Sequence, residues 1–467
     1  MLNLFAAKSE IREERGPDWF LPAYRKAHRK RPNVVTLIAT AREDLLGIFS
    51  QADYQSRVDS MNVLTRQIVL VNSPAGVKHV MATRNDNYER KSPQMRRALE
   101  LLIGDGLFIS DGDTWKQRRP LVSDIMHKNR LPVFGPVMER AAGEFVERWA
   151  GIPQGKAFDA LTEMAELTAV IISRSVFGSD LDHASAAEVI GGFTDFQADV
   201  DSVNYPYFLG QDDGAPIKRT KRLQKSIERV HGVIDRVVTA HLEGQGDHRS
   251  MVDALVERQR RNPELGLTRD ALRNEAATIF MAGHETTAAT LTWALYLVAN
   301  APWAERAALA EIRRVCGDRA PTIAEVPHLD YCRAIIEETL RLYPPVPILS
   351  RQTRAADRVE GVDVRPASLV IVSPWLLQRS PAHFPRPHHF RPERFVSDRP
   401  TPYTYAPFAA GPRICAGLAF GLSESILCLA TLLQRFKVRV PEGTVVEPVC
   451  RLTLRPKNGL PITVTPR

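Results

Sequence analysis

Residues 268–300 constrain this chain more than any other stretch. Thr268 is suited to cap a helix, Asp270 falls in the first turn, and Pro302 follows the end. At about 1.5 Å per residue such a helix spans roughly 50 Å. Residues 276–282 and 288–301 are apolar on most faces, which implies a helix running through the middle of the protein. Its centre breaks the pattern with Gly283, His284, Glu285, Thr286 and Thr287. Glycine costs about 1 kcal/mol against alanine in a helix, and a buried carboxylate costs several unless paired. Such local breaks mark either a solvated kink or a functional site. Gly283 leaves room for something large against the backbone. Thr286 can bond back to the carbonyl of Ala282, and Glu285 beside it can carry protons.

Around this helix the pattern is mostly helical. Residues 137–149 and 223–242 alternate apolar and charged positions at helical spacing. Short strands are expected at residues 66–72 and 369–373. A hairpin is expected in residues 451–464 around Lys457, Asn458 and Gly459. The result is a mainly α, α+β chain with small peripheral sheets, and no linker or repeat divides residues 1–467. Prolines cluster at residues 344–347, 381–392 and 400–412, so a long irregular path leads to Cys415. That path holds Trp375, Phe384, Phe390, Phe395, Tyr403, Tyr405 and Phe408, too many aromatics for disorder.

Glu338 and Arg341 lie three apart on one helical face among Ile335, Ile336, Leu340 and Leu342. A buried pair there needs further donors, and Arg394 is the candidate third member. In the cysteine loop, two glycines and a proline shape residues 408–417 (FAAGPRICAG), and an apolar helix follows. Cys415 therefore sits near a helix N-terminus, where a thiolate is favoured, with Arg413 two residues away. A thiolate is the form that binds a soft or redox metal.

Taken together, these segments resemble the cytochrome P450 family over nearly the whole chain. FAAGPRICAG matches the family's cysteine loop, AGHETT (282–287) its oxygen-binding helix, and ETLR (338–341) its Glu-x-x-Arg motif. FRPERF (390–395) and WKQRR (115–119) match two further motifs, all in family order. The resemblance implies a helix-rich triangular prism and haem b held by Cys415 as thiolate. It implies Phe408 over the proximal side and contacts from Arg413, Trp115, Arg119 and Arg351 to the propionates. Gly283 and Gly417 would lie against the cofactor. Thr286 and Glu285 would form the alcohol–acid pair that delivers protons to dioxygen, with Glu in place of the more usual Asp. Glu338, Arg341 and Arg394 would be structural, and His284 no ligand.

The implied reaction is monooxygenation of a hydrophobic small molecule. Residues 92–108, 279–281, 346–349 and 452–454 would line the pocket. The alternatives are a peroxide-driven peroxygenase, a haem-thiolate isomerase or dehydratase, and, remotely, a haem gas sensor. No fused reductase follows, so electrons would come from a separate ferredoxin or flavodoxin with its reductase. A basic face of Lys116, Arg118, Lys128 and Arg130 would receive it. Net charge is +8, yet no basic tract carries interleaved aromatics, so nucleic acid is not expected. The five cysteines show no close pairing. The first twenty residues form no signal-peptide core, and no run is long enough to span a membrane. A monomer in the cytoplasm is the expectation.

Overall fold

The computed structural model describes residues 19–178, 183–200, 205–211, 220–246, 248–397 and 399–467. The amino-terminal reading above, for residues 1–18, lies outside them. Five helices position the site: α1 (Gly112–Ile125), α2 (Ala160–Phe177), α3 (Arg269–Ala299), α4 (Asp330–Leu342) and α5 (Leu418–Arg435). The main sheet has four strands: β1 (Val58–Val63), β2 (Arg66–Val71), β3 (Leu349–Gln352) and β4 (Leu369–Val372). They run in the order β1–β2–β4–β3. Parallel pairing of β2 with β4 sets Ile68 against Leu369. Antiparallel pairing of β4 with β3 sets Val370 against Arg351. The remaining sheets are small, as expected.

The long helix is α3, and the Thr268 hydroxyl caps it by accepting from the Ala271 N–H at 3.1 Å. It packs on α2, α4 and α5, and its second half, from Ala288 through Ala299, is buried at every position. Threonines survive there because each hydroxyl finds a carbonyl one turn back. Thr290 donates to Thr286 and Thr292 to Ala288, both at 2.8 Å. Helix α5 is, among the described residues, the one long and apolar enough to cross a bilayer. With 67% of it buried it is a core helix.

Glu338 and Arg341 on α4 are fully buried and joined twice, Nε to Oε2 at 2.6 Å and Nη2 to Oε1 at 2.8 Å. The other three guanidinium N–H groups donate to the carbonyls of Gln378, Pro387 and His389. Glu338 also accepts from Arg394 Nε at 3.2 Å and from the Arg391 N–H at 2.9 Å. All five donors of Arg341 are thus used, which makes the buried charge tolerable and pins the proline-rich path to α4.

The carboxy-terminal hairpin is not formed. Gly459 does turn the chain at φ 75°. The strand before it, Leu454–Pro456, pairs with Pro448–Cys450, whereas Pro461–Pro466 joins Phe436–Arg439 and Phe158–Asp159. The turn chemistry was legible; the strand partners were set by packing elsewhere.

Candidate functional site

The cysteine loop is closed from three sides. The Cys415 N–H donates to the Phe408 carbonyl at 2.9 Å. Gly411 has φ 69°, and a Cβ there would lie 1.9 Å from the Met81 carbonyl oxygen, so only glycine fits. Arg119 on α1 donates to the Ile414 carbonyl at 2.6 Å. Helix α5 starts at Leu418, three residues past the thiol. Cys415 is the one exposed cysteine, and its surface opens onto an internal cavity rather than bulk water. Burial pushes its thiol up. The Gly417 N–H, Arg119 and Lys91 pull the other way without overcoming it. Burial thus outweighs these groups, and coordination to iron would favour the thiolate.

Trp115, Arg119, Arg351, Phe408, Arg413, Gly283, Thr286 and Gly417 all line the cavity with Cys415, so the fold brings these expected residues together. One edge is cationic. Arg351 is buried, donates to the Ser350 carbonyl at 3.0 Å, and leaves Nη2 without a partner. Its guanidinium is pulled down to about 9 by burial and by Arg413. Arg413 is pulled down to about 10, again by burial first. It stacks on Trp115 with Cζ 4.7 Å from the ring centre and donates to the Ser110 carbonyl. Lys91 is also buried there and held well below the ordinary lysine range, by burial and by Arg351 and Arg413. No motif marks Lys91. It reaches the site through a backbone bridge to Arg351, more than 250 residues away.

Burial works against the charge of all three groups, and Glu89 and Asp111 offset this for Arg413 only in part, so this edge calls for an anionic ligand. A thiol below, three buried cations at one edge and apolar walls of Leu107, Phe108, Ile279, Val346 and Leu349 fit haem b with its two propionates.

On the other side, the Thr286 hydroxyl bonds back to the Ala282 carbonyl at 2.6 Å, as expected. Glu285 accepts from the Thr453 hydroxyl at 2.6 Å and from the Gln197 amide. Burial pushes its carboxyl up. Gly283 departs from expectation in one respect. A Cβ there would lie 2.7 Å from Ile172 Cδ1, so its missing side chain admits helix α2. His284 is a core side chain. It is buried, stacks on Phe280, contacts the Ala165 carbonyl at 3.2 Å, and is pushed down to about 4 by burial. Arg118, expected on the surface, is buried between Asp105 and Glu275.

The family model for cytochrome P450 matches residues 50–462. This chain belongs to the cytochrome P450 family. Cyclooctatin synthase of Streptomyces melanosporofaciens is 31% identical over 400 residues, covering 83% of this chain and 84% of that protein. Cyclooctat-9-en-7-ol 5-monooxygenase of the same organism is 27% identical, covering 74% of this P450 and 75% of the relative. Among solved structures, a mutant cytochrome P450DA heme domain superposes with a TM-score of 0.76 at 22% identity, covering 95% of this chain and 97% of that one. The family makes the protein a haem b enzyme of the monooxygenase class.

Proposed function

We propose that this P450 uses dioxygen and two electrons from a separate redox protein to place one oxygen atom on an apolar, ring-bearing small molecule, the other oxygen leaving as water. The observation that carries the reading is the cavity itself. Its walls of Leu107, Phe108, Ile279, Val346 and Leu349 converge on Cys415 below and the Thr286 hydroxyl above. The compound in the name of one relative, cyclooctat-9-en-7-ol, is a cyclic alcohol, which suits such walls.

Cys415 would hold the haem iron, Lys91, Arg351 and Arg413 would hold the propionates, and the haem would supply the site where dioxygen is reduced. Thr286 Oγ1 is the hydroxyl that passes a proton into the cavity. Glu285, next to it on α3 and buried against the Thr453 hydroxyl and the Gln197 amide, is the acid that replenishes it. Lys116, Lys128 and Arg130 are exposed and form the docking face for an acidic ferredoxin or flavodoxin. Arg118 takes no part in it.

Turnover with a ferredoxin, its reductase and cyclooctat-9-en-7-ol under labelled dioxygen tests this. The expected product carries one labelled oxygen, and Thr286→Ala consumes dioxygen with little product. Equal product yield from Thr286→Ala, or turnover with peroxide alone and none with reductase, contradicts the reading. An unchanged salt dependence of reduction in a Lys116→Glu/Arg130→Glu variant contradicts the docking face.

A further inference from the structure

Glu275 lies about three turns before Thr286 on α3 and is 1% exposed. It faces the segment from Gly104 to Ser110, which carries Leu107 and Phe108 into the cavity. The Leu107 N–H donates to both Glu275 oxygens, at 3.0 and 3.2 Å. Arg118 donates to Glu275 Oε1 at 3.1 Å, to Asp105 Oδ1 at 2.9 Å and Oδ2 at 2.8 Å, and to the Asp105 carbonyl at 2.7 Å. Asn274 Nδ2 adds a bond to Asp105 at 3.0 Å. The segment also lies hard against α3: a Cβ on Gly106 would meet Thr278 Oγ1 at 2.1 Å. At its far end the Ser110 carbonyl is held by Arg413 of the cysteine loop. Phe108 stands between the two regions, with Lys91 Nζ 4.6 Å from its ring centre.

We propose that Glu275 is a positioning residue of the substrate chamber. Its ionised carboxylate, through the Leu107 N–H and Arg118, holds Leu107 and Phe108 in the cavity wall and so sets which molecules fit. The neutral side chain loses the ion pair with Arg118 and lets the wall yield. A carboxylate in so dry a place is poorly solvated, and burial raises its proton affinity while Arg118 opposes this. The charged groups bearing on it among the described residues are Arg118, which favours ionisation, and Asp105, which disfavours it. This makes the wall responsive to pH near neutrality.

The test uses the holoenzyme and two iron-binding probes, imidazole and 4-phenylimidazole. Imidazole is too small to reach the wall, whereas the phenyl ring presses on it. In Glu275→Gln, 4-phenylimidazole affinity is expected to fall roughly tenfold, the scale of one apolar contact in a hydrophobic pocket, with imidazole unchanged. Amide exchange of the Leu107 peptide is expected to quicken in the same variant. The wild type at about pH 5.5 is expected to match Glu275→Gln, and to recover selectivity at about pH 8, while the variant's selectivity changes only with the probes' own titration. Asp105→Asn, at a side chain 58% exposed, should fold normally and move the wild-type inflection to lower pH, since it removes the charge that disfavours ionisation.

A merely structural Glu275 would not move with pH in this way. Unchanged selectivity, unchanged exchange, an equal loss for both probes, or an inflection that Asp105→Asn leaves in place overturns the proposal. Failure of either probe to bind the wild-type iron would instead overturn the haem-thiolate reading on which the chamber rests; the exchange arm still decides the role of Glu275.

Discussion

Arg119 donates to the carbonyl of Ile414 at 2.6 Å, one residue before the Cys415 thiol. The family motif implies a propionate contact for Arg119, which lines the cavity, and this bond also clamps α1 to the cysteine loop. Replacing it with alanine removes a charge-assisted bond worth about 1.5–3 kcal/mol. Faster haem loss to apomyoglobin is the expected result, with Arg119→Lys intermediate. Equal rates for all three proteins would remove the clamp.

Arg351 gives a prediction with two signs. Its guanidinium is buried and pulled down to about 9, with no carboxylate against it among the described residues. Arg351→Met should therefore stabilise the haem-free protein, because an uncompensated buried charge costs several kcal/mol. The same change should weaken haem retention. Urea unfolding of the apoprotein and haem transfer read the two separately. A less stable apoprotein would mean that the cation has a partner of its own.

The Glu338–Arg341 pair should tolerate no conservative replacement. Arg341→Ala leaves a buried carboxylate with only Arg394 and the Arg391 N–H against it and should cost about 3–5 kcal/mol. Arg341→Lys should do little better, since an ammonium cannot serve two carboxylate oxygens and three carbonyls at once. Urea midpoints and soluble yield report the loss. A lysine variant as stable as wild type would contradict the five-donor account.

Glu275 also predicts a pH-dependent stability. Its carboxyl is raised to about 7, first by burial, against an ordinary value of 4.5. Between those values the unfolded chain has released a proton that the folded chain keeps. Stability from this group is thus full below the unfolded value, falls as pH rises, and levels off above about 7. The loss amounts to roughly 3 kcal/mol. Unfolding free energies at about pH 5 and about pH 8 should therefore shift in favour of Glu275→Gln as pH rises. A constant difference between variant and wild type would contradict the raised value.

Local chemistry was the legible part of this protein. Residues 268–300 announced α3 to within a residue at each end, because the Thr268 cap and the Asn300–Pro302 stop act locally. The cysteine loop was equally plain, since Gly411 has no substitute against Met81. What remained hidden depends on contacts across the chain. Lys91 looks like any surface lysine until β3 brings Arg351 beside it. Arg118 looked like its exposed neighbour Lys116 until Asp105 and Glu275 closed around it. Gly283 was rightly singled out, but the body it admits is Ile172 as well as the cavity. The hairpin at Gly459 failed for the same reason: a turn is local, whereas a strand's partner is not.

The central claim is that Cys415 binds haem iron as a thiolate. Its most direct measurement is the absorption spectrum of the reduced, carbon monoxide-bound protein. The wild type should show the strongly red-shifted Soret band of thiolate ligation, and Cys415→His should bind haem without that shift. A folded, haem-loaded wild type lacking the shifted band, or a Cys415→His protein retaining it, would contradict the account.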